Sequence, residues 1–84
     1  MTRVIVERSF DAPFTQDDFD AASQRIGGCL DLYGVRWIGS HISADRRRMI
    51  CVYEAADAQS VRDVQNVAQA QFDRVWSAEV IEPG

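Results

Sequence analysis

Two strand-like runs, VRWIGSHIS and RRMICVYEA, stand back to back in the middle of the chain, joined by a short Ser-Ala-Asp-Arg turn. Both are rich in β-branched and aromatic residues, which suit a pleated surface, and so short a turn joins antiparallel neighbours as a β-hairpin. A central hairpin restricts what can flank it. Before it, TRVIVERSF alternates Val4 and Val6 against Arg3, Ile5 and Glu7, and after it DRVWSAEVIE alternates again. Both have the period of a strand.

The segments between these runs have a helical period. Thr15 can cap a helix whose first turn carries Asp17 and Asp18, with Phe14 stapled to Phe19. Its inner stripe is Phe19, Ala22, Ile26, Cys29, Leu30 and Tyr33, and Gly34 supplies a stop. The Gly27–Gly28 pair inside it points to a close approach of helix to sheet or to a kink; it is not a phosphate loop, because neither GxGxxG nor a Walker pattern surrounds it. Asp57 can cap a second helix through about Ala70, with Val61, Val64 and Ala68 facing inward.

The order is therefore β-α-β-β-α-β over a single domain, residues 1–84, with no linker or repeat. That order is the α+β ferredoxin-like motif: a four-stranded antiparallel sheet, spatial order 4-1-3-2, with both helices on one face. Alternation puts Val4, Val6, Ile38, Ile42, Ile50, Val52, Trp76, Ala78 and Val80 on the helix side. The other face then carries Ile5, Glu7, Val35, Trp37, Gly39, His41, Met49, Cys51, Tyr53, Val75, Ser77, Glu79 and Ile81. Such a face is too apolar for water, so a homodimer through paired sheets is expected, a dimeric α+β barrel-like assembly to which Trp37 and Tyr53 contribute. A one-residue change in the hairpin turn would put His41 on the face opposite Cys51 and Tyr53.

A chain of 84 residues hides only about 60–65% of its unfolded surface on folding, so a partner surface would help stabilise it. Nine basic against thirteen acidic residues give a net charge of −4, which disfavours nucleic acid. The Arg46–Arg48 run reads as a solvated turn. No apolar run approaches the roughly 18 residues of a membrane span, and MTRVIVERSF lacks a signal-peptide core, which makes the cytoplasm the expected location. Cys29 and Cys51 lie far apart without CxxC or zinc-finger spacing and read as reduced thiols.

The segments VIVERSF, VRWIGSHISAD and CVYEA, with VRD…DRV at matching spacing, closely resemble a family of small bacterial nickel-binding proteins of otherwise undefined function. The resemblance covers almost the whole chain. It implies a ferredoxin-like subunit, a dimer, and nickel held towards the dimer surface, in a sequestering role. Where members commonly read Glu-His-Ala and then Gly and Pro, this chain has Asp63-Val64-Gln65, then Gln69 and Gln71, so the histidine of that pattern is a valine here.

A nickel site needs imidazole, carboxylate or thiolate groups converging on one point. The candidates are His41, the only histidine, with Glu7, Glu79 or Cys51, converging across strands or across a symmetry axis. Lone strand histidines are more often packed than ligating, and Cys51 between Ile50 and Val52 has the surroundings of a small core hydrophobe. A different class of function uses the same fold as an isomerase, cyclase, cofactor-free monooxygenase or small-ligand binder for an aromatic or lactone-like molecule. There Trp37 and Tyr53 would stack a flat ligand and His41 or Glu7 would move a proton. No nucleophile–His–acid order supports catalysis independently.

Overall fold

A computed structural model describes residues 1–83. Its elements run β1 (Thr2–Ser9), α1 (Gln16–Leu30), β2 (Arg36–Ile42), β3 (Arg48–Ala55), α2 (Ala58–Val67) and β4 (Arg74–Ala78). The sheet order is β2-β3-β1-β4 with every pair antiparallel. This is the ferredoxin-like arrangement that the alternating periods dictate.

Both helices start where capping chemistry allows. Thr15 accepts from the Asp18 amide while the Asp18 carboxylate accepts from the Thr15 amide, a reciprocal box that satisfies two otherwise orphaned donors. Those hydrogen bonds, the backbone one first, hold the Asp18 carboxyl below its usual pKa. Asp57 caps α2 through the Ser60 amide. After α1, Gly34 takes a left-handed φ of 64° and lets the Val35 amide reach back to the Leu30 carbonyl.

Two helix details differ from expectation. Helix α2 ends at Val67 rather than near Ala70, because Gln69 turns left-handed (φ 54°) and the Ala70 amide bonds back to Gln65, which closes the last turn. A Cβ built on Gly27 or Gly28 would meet nothing within 4 Å, so the pair does not mark a close approach of helix to sheet.

The faces of the sheet correct the alternation read above. In the antiparallel ladders Val4 lies opposite Tyr53 and Ser77, and Val6 opposite Cys51 and Val75, so those residues share the helix side. Ile50, Val52, Trp76 and Ala78, expected inside, lie instead with Ile5 and Glu7 on the open face. In β2 a bulge between Trp37 and Gly39 shifts the parity: Trp37 and Ser40 point to the helix side, opposite Tyr53 and Cys51, and His41 pairs with Ile50 on the open face. The core is Val4, Val6, Val35, Met49, Cys51, Tyr53, Ala55, Val61, Val64 and Val75.

Candidate functional site

Helix α1 contributes no fully buried residue, although Ile26, Cys29 and Leu30 rest against the core. Between α1 and the sheet lies a cavity of about 620 Å³, walled by Phe10, Phe14, Phe19, Trp37, Met49 and Tyr53 among others. Phe10 and Phe14 stack at 4.5 Å between centroids, and Phe19 tilts towards Trp37 at 6.1 Å. The loop carrying the first two is tied to the hairpin turn by Phe10 and Phe14 amides donating to the Arg47 and Arg46 carbonyls, both at 2.8 Å. Arg46 therefore belongs to the scaffold of this rim.

Polar groups line the floor. Arg8, on the same side of β1 as Val4 and Val6, is 7% exposed. It donates to the Gln71 carbonyl and to Gln65 Oε1, both at 2.8 Å, and to the Tyr53 hydroxyl and Cys51 Sγ at 3.4 Å. Ser40 donates to Cys51 Sγ at 3.1 Å, and the Trp37 indole N–H donates to Ser40 at 3.1 Å. Burial first, and then the charge an ionised Cys51 would place nearby, pushes the Tyr53 hydroxyl above its usual pKa against the opposing pull of Arg8. Tyr53 is thus a neutral phenol at physiological pH.

The open face is different. Ile50 and Trp76 are each more than two-fifths exposed, flanked by Ile5 and Val52. Glu7 accepts a 2.7 Å hydrogen bond from the Trp76 indole through Oε2. His41 and Glu7 both neighbour Ile50 in the ladder, on opposite sides of it. At a strand spacing of 4.7–4.9 Å their backbones are roughly 10 Å apart. At the far end Arg3 and Arg36 flank Glu54, with contacts of 3.3 and 3.7 Å.

The sequence matches a protein family described as nickel responsive protein SCO4226-like over residues 5–77. The chain belongs to the SCO4226-like family. Among solved structures, the crystal structure of SCO4226 from Streptomyces coelicolor A3(2) matches with a TM-score of 0.84 at 15% identity, covering 95% of this chain and 99% of that one. At that identity the likeness establishes the shared fold. No curated protein matches the sequence.

Set in this SCO4226-like subunit, the residues singled out from the sequence divide between the two faces. His41 and Glu7 share the open face. Cys51 does not: it is buried on the helix side, because the ladder to β1 puts it opposite Val6. Glu79 lies just beyond β4, exposed, near Met1, Arg3 and Glu54. Trp37 and Tyr53 come together at the cavity, away from His41 and Glu7 and away from the open face on which a paired-sheet contact was expected. Val64, where the resemblance places a histidine, is fully buried in the core. Among the described residues of one chain no three His, Cys, Asp or Glu side chains cluster as metal ligands. Sequence reasoning missed Arg8, Ser40 and Gln65. Arg8 was within reach, since it continues the even-numbered row of Val4 and Val6 into the helix side.

Proposed function

We propose that the protein is a nickel-binding homodimer whose metal site lies on the open sheet face and is completed only when two copies meet there. One observation carries this reading: the exposed apolar face holds the chain's single imidazole and a carboxylate already oriented by an indole N–H. Metal-bound carboxylates are commonly held by such outer hydrogen bonds. The family description, nickel responsive, supports nickel as the ion, and imidazole with carboxylate is a donor set that nickel accepts.

A single chain does not fit a closed site. Among the described residues no third His, Cys, Asp or Glu joins His41 and Glu7 in one chain to complete a ligand set, whereas two stacked faces supply two imidazoles and two Glu7 carboxylates. Mixed charge on the same face suits self-pairing, with Arg3, Arg36 and Arg74 set beside Glu54 and Glu7. An ion held between two copies is withdrawn from solvent, which suits sequestration. Arg46, Arg47 and Arg48 take no part, since permanently charged guanidinium groups repel a cation. Native mass spectrometry with added nickel tests the proposal: the metal should remain on dimer ions and be absent from monomer ions, and nickel retained by monomers, or by neither, would contradict it.

A further inference from the structure

We propose that the cavity between α1 and the sheet is a binding site for an aromatic carboxylic acid, whose carboxylate pairs with Arg8. The site is on the opposite face of the sheet from the proposed nickel site and does not depend on it. Arg8 is 7% exposed, and none of its four acceptors is a carboxylate: they are a backbone carbonyl, an amide oxygen, a phenol and a cysteine sulfur. Among the described residues no carboxylate pairs with it, and the two ion pairs that those residues form both belong to Glu54. Buried charges are ordinarily paired, because desolvating an ion costs far more than neutral hydrogen bonds return. A guanidinium kept inside without a counter-ion, on the floor of a cavity, is therefore arranged for an anion that arrives from outside.

The other charged groups at the cavity do not supply that anion. The Asp18 carboxylate is engaged by the Thr15 amide at the start of α1, and Arg25, whose Nε donates to the Ala68 carbonyl, adds a second positive charge. The walls define the rest of the ligand. Phe10, Phe14, Phe19, Trp37 and Tyr53 line the space, and so aromatic a lining favours a flat apolar body over a chain. A volume of about 620 Å³ is within the usual range for small-molecule pockets. The guanidinium fork matches a carboxylate, and a neutral amide of the same shape could not replace its charge.

Trp37 at the cavity reports occupancy once Trp76 is replaced by Phe, which leaves it the only tryptophan. In that Trp76→Phe protein, 3-phenylpropionate should shift Trp37 emission saturably. Its amide, 3-phenylpropionamide, and acetate should each bind at least tenfold more weakly. Adding Arg8→Gln should cost the acid at least tenfold in affinity and leave the amide unchanged. If Arg8→Gln does not fold, the ratio of acid to amide in the Arg8 protein decides alone. Equal binding of acid and amide, saturation by neither, or binding of dodecanoate but not of 3-phenylpropionate would overturn the assignment.

Discussion

Gln69 holds a left-handed backbone that side chains other than glycine and asparagine adopt at a cost, and it does so to close α2 through the Asn66 and Gln65 carbonyls. Gln69→Gly should therefore stabilise the fold by about 0.5–1 kcal/mol, read as a rise in the midpoint of urea unfolding with an unchanged slope; a fall would show that the glutamine side chain contributes more than the backbone strain removes. At the other end of that helix, hydrogen bonds from the Ser60 amide and then its hydroxyl hold the Asp57 carboxyl below its usual pKa. A depressed carboxylate stabilises the fold above its unfolded pKa, and this contribution is lost as pH falls through the lower folded value. Asp57→Asn should accordingly lose less stability than wild type between pH 7 and pH 3. Equal losses in the two proteins would contradict a capping role for the charge.

At the scale of elements, the two faces of β3 explain what could be read in advance and what could not. Element order, both N-caps and the sheet topology followed from period and capping residues alone, because local chemistry sets them. Facing did not, since RMICVYEA is apolar at both parities: Ile50 and Val52 look as inward as Cys51 and Tyr53. Charge at the strand ends carried the missing signal. Arg48 and Glu54 share the parity of Ile50 and Val52, and Arg74 that of Trp76, so those rows face outward. The bulge at Ile38–Gly39 was not legible, because one extra residue leaves no mark on composition yet puts Trp37 and Gly39, which alternation places on one face, on opposite faces. Of the candidate site, His41 and Glu7 share a face, while Cys51, Trp37 and Tyr53 followed the other row. The proposed pairing of copies then has a specific consequence. Trp76→Asp should convert the dimer to monomer in light scattering at micromolar concentration, and Trp37→Asp, on the helix side, should leave it dimeric; the reverse pattern would contradict pairing through the open face.

For the whole molecule, shape and surface point the same way. The chain measures 35 × 33 × 18 Å, the thickness of one sheet and one helical layer. It exposes 5625 Å², against roughly 5,000 Å² for a folded monomer of this mass. The surplus fits a slab with one sheet face uncovered and a cavity under α1. Among the described residues no helix is long and apolar enough to cross a membrane. A second copy on the open face would cover Ile50, Val52 and Trp76 and gather two His41 imidazoles and two Glu7 carboxylates at one interface. Nickel binding through His41 is the claim on which this reading rests. Calorimetric titration of nickel into wild type and His41→Ala at pH 7.5 tests it most directly: wild type should bind, and the variant should bind at least tenfold more weakly, since losing even a hydrogen-bond partner of a metal ligand commonly costs that much. Equal affinity in the two proteins, or no binding by wild type, would contradict it.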